Sequence, residues 1–286
     1  MNINNNNNNI IRILVSDLDG TLLDNKHHLS QKNKETFRKL GDFNVIRVIA
    51  TGRNLYSFRK VIPDDMAIDY LVFSSGAGIM NWKNNELLTS VNLKAKEVSF
   101  IADHFRKQKI NFMLQAKMPE NHHFVYHSNS GHVDTDFNRR LKLYEGYAKP
   151  LDWNNFTFTD ASQFLVILPD DMVMFEEIKS CLKKFKVIRA TSPIDRKSIW
   201  MEIFPKQVSK ANAIKFLCKK LNIGTEFTCG FGNDYNDIDL LDFTNQSYIV
   251  SNAPEILKKR YQIIDSNEEN AVSTAIHKLI SQGQII

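Results

Sequence analysis

The chain has 286 residues, of which 43% are hydrophobic and 24% charged, with a net charge of +5 and a pI near 8.9. At about 100–200 residues per domain this is one large domain or two, with enough apolar residues for a sizeable core, which excludes wholesale disorder. No apolar run is long enough to cross a bilayer, and the positive charge is too mild to argue for a nucleic-acid partner.

The N-terminal MNINNNNNNI has neither the charged start nor the apolar core of a signal peptide, and its Asn run, residues 1–9, reads as a floppy low-complexity arm. Ile10–Ser16 is β-branched and almost continuously apolar, as in a strand buried on both faces. It stops abruptly in DLDGT. A helix follows, with Ser30 as N-cap and Phe37 and Leu40 facing inward. Two more apolar runs, Val45–Ala50 and Tyr70–Phe73, end in TGR and SSGAG. Strands that alternate with helices and end in small or polar loops have the rhythm of a parallel α/β sheet, whose sites lie at the carboxyl ends of the strands.

The middle of the chain differs. Leu93–Gln108 and Met172–Leu182 read as helices, and Ile110–Gln115, His123–His127, Gln163–Leu168, Val187–Ala190 and Ile199–Phe204 as strands. No obvious chemistry ends these strands. The expected organisation is an α+β insertion over residues 84–192, flanked by core segments 1–83 and 193–286. The parallel rhythm returns with a helix carrying Ala211, Ile214, Leu217, Cys218 and Leu221, then a strand at Glu226–Gly230 that runs into FGNDYND. Tyr248–Val250 and Gln262–Ile264 read as short strands, Pro254 marks a helix start, and a last helix carries Val272, Ile276 and Leu279. Cys181, Cys218 and Cys229 lack CxxC spacing and cannot all pair, which points to reduced thiols in a cytoplasmic protein.

Asp17 and Asp19 stand two apart just past the first strand. Their side chains would point the same way and repel unless a cation lies between them or one is protonated. Gly20 permits a sharp turn, to which Thr21 could bond back. The Thr51 hydroxyl, with the backbone of Gly52 and Arg53, suits a phosphate. Lys210 opens a helix behind the cap Ser209, where a cation opposes the helix dipole. It makes sense there if an anion lies at that helix end, although a solvated lysine is the plainer reading of the residue alone. Asn233, Asp234, Asn236 and Asp237 supply oxygens suited to Mg²⁺, or form an acidic loop with Asn236 as N-cap.

DLDGTLL, ATGR, the lysine of FPKQVSKANAI and GNDYNDIDLL, in this order, resemble the four motifs of haloacid dehalogenase-like phosphatases, and the insertion resembles that of the Cof-type branch. The resemblance implies a Rossmann-like core with an inserted α+β cap domain. It also implies a Mg²⁺-dependent phosphatase of small phosphorylated metabolites, sugar phosphates above all. Asp17 would be the nucleophile, Asp19 the acid and base, and Thr51 and Lys210 phosphate holders. Leu18, Gly20, Gly52, Arg53, Ser75, Gly76 and Asn236 would line the phosphate or the substrate. Mg²⁺ would bind Asp17, the Asp19 carbonyl, Asn233 and Asp237, with Asp234 as the alternative ligand. The chain departs from the pattern twice. Asn233 stands where the family has Asp, and Ser75-Gly76-Ala77 where the branch often has Asn-Gly-Ala, near the expected substrate entrance. A phosphosugar mutase shares this chemistry, and a weakly active phosphate-ligand-binding protein is the alternative outside enzymes.

Outside these motifs, His123 and His127 would face one way along a strand, with His122 and His132 near. A zinc site is conceivable, but without Cys or a paired carboxylate pattern, solvent- or substrate-facing histidines are the plainer reading. Arg189, Arg196, Lys197 and Lys206 read as solvated charges, and Trp82, Trp153 and Trp200 as packing residues.

Overall fold

A computed structural model describes residues 10–129 and 135–286. The Asn-rich arm and His132 lie outside the described residues. The chain forms two compact units. One holds the chain up to Thr89 together with Ser209–Ile286, and the other is Ser90–Val208.

The first unit opens with β1 (Ile13–Ser16), α1 (Gln31–Asp42), β2 (Ile46–Ala50), α2 (Leu55–Arg59), β3 (Tyr70–Phe73), β4 (Gly78–Asn81) and β5 (Glu86–Ser90). Ser30 caps α1 by accepting the Asn33 N–H, and the helix buries Phe37 and Leu40. The second unit contains α3 (Ala95–Lys107), β6 (Phe112–Ala116), β7 (Phe124–His127), α4 (Thr135–Leu143), β8 (Ala148–Pro150), β9 (Ala161–Leu168), α5 (Met172–Cys181), β10 (Phe185–Thr191) and β11 (Ile199–Pro205). The chain then returns to the first unit with α6 (Lys210–Leu221), β12 (Thr228–Gly232), α7 (Ile238–Phe243), β13 (Gln246–Val250), α8 (Glu255–Lys258), β14 (Gln262–Ile264) and α9 (Ala271–Ser281).

The first unit's sheet has the order β14-β13-β12-β1-β2-β3-β4-β5, and β14 through β3 run parallel. Val15 pairs with Gly230 on one side and Val48 on the other, so β1 is central and buried on both faces. Ile13, Val15, Val48 and Val72 pack with Ala213, Ile214 and Leu217 of α6, which accounts for that helix's apolar stripe. Because these strands share one direction, their carboxyl ends meet at one edge. Asp17, Thr51, Ser74 and Asn233 are the first residues past β1, β2, β3 and β12. β12 lies two residues later than the sequence pattern suggests, because Thr225–Phe227 coil into a 3₁₀ turn.

The second unit's sheet runs β10-β11-β9-β6-β7-β8, with only β7–β8 parallel among its pairings. Its edges correct the expected 84–192. β5 belongs to the first sheet, and residue 192 falls in the loop of the antiparallel β10–β11 hairpin, which stays whole. Phe105, Phe112, Phe164, Phe175 and Met201 centre its core, with Trp153 against it. Trp200 is buried and donates to Asp136 Oδ2 at 2.8 Å. All three cysteines are unpaired. Among the described residues no helix is long and apolar enough to cross a membrane.

One ion pair fixes β2 against β3. Arg47 Nε and Nη2 donate to Asp69 Oδ2 and Oδ1 at 2.8 and 2.9 Å, and the Arg47 N–H donates to Oδ2 at 2.9 Å. Both residues are buried. Asp69 Oδ1 also pairs with the exposed Lys83 ammonium at 2.9 Å, so Arg47→Met alone should cost less than the about 3–5 kcal/mol of a fully stranded buried carboxylate, and Arg47→Met/Asp69→Leu together less again. Urea midpoints at constant slope would measure both.

Candidate active site

Asp17 is held by backbone bonds before its side chain does anything. Its N–H donates to the Phe231 carbonyl at 2.9 Å and its carbonyl accepts the Ser16 hydroxyl at 2.7 Å. The carboxylate is buried at 4% exposure. Lys210, at 1% exposure, reaches it from the first residue of α6. Its Nζ lies 2.6 Å from Asp17 Oδ1 and 2.6 Å from Asp237 Oδ1. The solvated-lysine reading is thus overturned. Burial, then repulsion from Asp237, push the Asp17 carboxyl up to about 7, with Lys210 opposing. Burial would lower the Lys210 ammonium, but attraction to the two carboxylates outweighs it and raises it.

Asp19 goes the other way. Burial would raise its carboxyl, but hydrogen bonds to His27 and Arg53 hold it well below the usual carboxylate range. Arg53 Nε and Nη2 donate to Asp19 Oδ2 and Oδ1, each at 2.7 Å, a bidentate pair. His27 Nδ1 lies 3.1 Å from Oδ1. His27, at a left-handed φ of 62°, is a site neighbour that sequence reasoning missed. No motif marks it; only a turn folding back eight residues after Asp19 brings it in.

The phosphate-loop candidates gather as well. The Thr51 oxygen accepts the Arg53 N–H at 3.1 Å, which leaves its hydroxyl hydrogen for another acceptor. A Cβ on Gly52 would meet Ser75 Oγ at 3.5 Å and Asn236 Nδ2 at 3.7 Å, so these three face one another. Ser75 N–H donates to the Thr51 carbonyl at 2.9 Å. Gly76 has φ of +99°, and a Cβ there would overlap the Ser209 carbonyl, so this glycine lets the third loop press on the start of α6. Leu18 is buried, with its carbonyl serving Leu22 and Leu23, and its N–H is the group it can offer a phosphate.

In the last motif the cap is Asp234, not Asn236. Asp234 opens a 3₁₀ turn, Tyr235–Asp237, in a reciprocal capping box with Asp237. Asp237 Oδ2 accepts the N–H groups of Asn233 and Asp234 at 2.8 and 3.0 Å. The Asn236 Oδ1 is buried without a partner. The Asn233 amide packs against Gly20, where a Cβ would strike it, next to Asp19 in the chain. Thr21 does not bond back: its hydroxyl is buried and unpartnered.

A buried carboxylate held by a lysine at the end of a central parallel strand, ringed by the loops of its neighbours, lies where sheets of this kind carry their sites. The chain belongs to the haloacid dehalogenase-like hydrolases, in the Cof-type phosphatase branch, and the family model matches residues 14–276. It is similar to two Bacillus subtilis enzymes named 5-amino-6-(5-phospho-D-ribitylamino)uracil phosphatase. For YwtE the identity is 23%, over 95% of this chain and 99% of that one. For YcsE it is 25%, over 93% and 94%. The fold resembles that of BT1666 from Bacteroides thetaiotaomicron, described among phosphatases of the superfamily, with TM-score 0.79 and 17% identity over 100% and 99% of the chains. It also resembles the subclass IIB sugar phosphatase BT4131, with TM-score 0.74 and 18% identity over 96% and 100%.

Two outcomes follow from this geometry. In metal-free buffer, the fold keeps the Asp17 proton to higher pH than the unfolded chain does. Stability should therefore fall as pH rises from ~4 to about 7, and Asp17→Asn should remove that part of the slope. Urea unfolding of both proteins across this range would read it. Gly76→Ala should displace the first turn of α6 and with it Lys210, lowering kcat by about 10²-fold in a protein that still folds; steady-state kinetics with circular dichroism would check it.

Proposed function

We propose that this chain is a cytoplasmic, Mg²⁺-dependent phosphomonoesterase of small phosphorylated metabolites, with sugar phosphates as the substrate class, working through an aspartyl-phosphate on Asp17. The observation that carries the reading is the buried Asp17–Lys210–Asp237 triad, with both contacts at 2.6 Å. The substrate class is supported by the names of relatives that act on a phosphoribityl compound and on sugar phosphates, all phosphate esters of polyols.

The residues fit Mg²⁺. Two buried carboxylates share one ammonium, so the pocket is short of positive charge, and the donors on offer are all oxygens. Asp17, the Asp19 carbonyl, Asn233 and Asp237 would hold the ion. Its contribution when bound is to neutralise the phosphoryl oxygens and hold them in line. Asp234 is turned into its own cap, which favours Asn233 as the ligand. Asp237 already serves Lys210 and two N–H groups, so it would ligate only by sharing an oxygen.

Asp17 attacks phosphorus while Lys210 and the Thr51 hydroxyl hold phosphoryl oxygens. Asp19 gives the leaving oxygen its proton. To do so it must first take up a proton and release Arg53, because in the clamp it is ionised. As a carboxylate again, Asp19 takes a proton from the water that attacks the phosphorus, freeing Asp17 and inorganic phosphate.

A panel of phosphorylated sugars and polyols, scored by kcat/KM with and without Mg²⁺, tests the reading. Asp17→Asn should lower turnover by about 10³-fold or more while the fold persists. Asn233→Asp should reach half-maximal rate at several-fold lower Mg²⁺. Near-native turnover in Asp17→Asn would overturn the nucleophile. A large loss in Asp234→Asn with no gain in Asn233→Asp would hand the ligand role to Asp234. Isomerised product from a bisphosphorylated sugar, in place of free phosphate, would make the protein a mutase.

A further inference from the structure

The turn that joins β6 to β7 carries a second set of metal-ligating side chains, in the second unit. Backbone bonds close this turn tightly. The Ala116 N–H donates to the His123 carbonyl at 2.9 Å, the Glu120 N–H to Lys117 at 3.1 Å and the His123 N–H to Glu120 at 3.0 Å. This folding brings Glu120 back onto two neighbouring histidines. One ligand atom each from Glu120, His122 and His123 lies within 4.8 Å of the others. His122 Nε2 is 3.8 Å and His123 Nε2 3.9 Å from Glu120 Oε2. Tetrahedral Zn²⁺ with bonds of about 2.0–2.1 Å places its donors roughly 3.4 Å apart, so small side-chain shifts complete the set.

An ion pair explains the cluster less well. Both separations exceed hydrogen-bond length. The two imidazoles lie 4.3 Å apart between centroids, and the Tyr147 ring stands edge-on to both at 5.0 Å. That packing limits the rotamers the histidines would lose on binding. The Glu120 side chain is 67% exposed and His123 51%, so the site opens to solvent.

We propose that Glu120, His122 and His123 bind one divalent transition-metal ion of the zinc type, with its fourth position open to water. Two imidazole nitrogens and one carboxylate suit Zn²⁺, whereas Mg²⁺ prefers six oxygens in octahedral array. The inference is independent of the reading of Asp17. It also revises the sequence expectation: His127 accepts from Trp153 Nε1 at 3.2 Å and stands outside the cluster, and the missing carboxylate is Glu120.

Calorimetric titration of the full chain with Zn²⁺, in excess Mg²⁺, should show one ion bound in the micromolar range, and Zn²⁺ should raise Tm. His122→Ala and His123→Ala should each weaken binding by more than the roughly 10–100-fold that loss of an outer-shell partner costs. Both should abolish the Tm rise, and phosphatase turnover should stay as it was. Glu120→Gln changes an exposed side chain, folds as the parent does, and should still weaken Zn²⁺ at least several-fold. It decides the matter if a histidine variant fails to fold, as judged by circular dichroism without zinc. No saturable Zn²⁺ binding, or binding that Glu120→Gln and the folded histidine variants leave unchanged, would overturn the site.

Discussion

The ammonium of Lys210 between the carboxylates of Asp17 and Asp237 is the contact on which the rest of the first unit's site depends. It ties together three segments far apart in the chain, all of them buried. Without it two buried carboxylates would face each other with no counter-ion, a strongly destabilising state. The sheet order makes the contact possible, because β12 lies beside β1 and delivers the last motif next to Asp17. Gly76 completes it by letting the loop after β3 reach the backbone at the start of α6. A cation at a helix N-terminus opposes the dipole, and here the two carboxylates outweigh that cost.

Asp17 and Asp19 are one residue apart from being adjacent, yet their surroundings push them in opposite directions. Burial and the charge of Asp237 raise Asp17, while hydrogen bonds to His27 and Arg53 overcome burial and lower Asp19. Two titratable groups separated in this way suit separate roles, one to attack and one to move protons. The Arg53 clamp also means that Asp19 in this conformation holds its charge without its proton. Movement of Asp19 away from the guanidinium is therefore part of any cycle in which it acts as an acid.

Much of this was legible in the chain because its signals are local. Apolar runs that stop in Asp17, Thr51 and Ser74 give strand ends directly, and Ser30 and Ser209 cap where a hydroxyl before an apolar stripe suggests. What was missed depends on distant partners. His27 joins Asp19 only because a loop doubles back, and Lys210 reads as a surface residue until its two carboxylates arrive from 193 and 27 residues away. Asn236 looks like a helix cap by composition, but the reciprocal bonds between Asp234 and Asp237 win. The boundary near 192 failed because hairpin pairing of β10 with β11 leaves no break in composition. Glu120 carries no signal at the period-two spacing of a strand, because the turn before β7 sets its own geometry.

The insertion of Ser90–Val208 between the two parts of the first unit has a consequence for the order in which the chain can assemble. Asp17 leaves the ribosome 193 residues before Lys210. At about 5–20 residues per second that interval is roughly 10–40 s. Throughout it, β1 lacks β12 on one side and the carboxylate beside it lacks its counter-ion. The second unit, Ser90–Val208, is contiguous in the chain and is synthesised whole during the wait. The Asp17 pocket is thus among the last features of the nascent chain to close, and a ribosome that stalls before Lys210 leaves an open-edged half-sheet with an unneutralised Asp17.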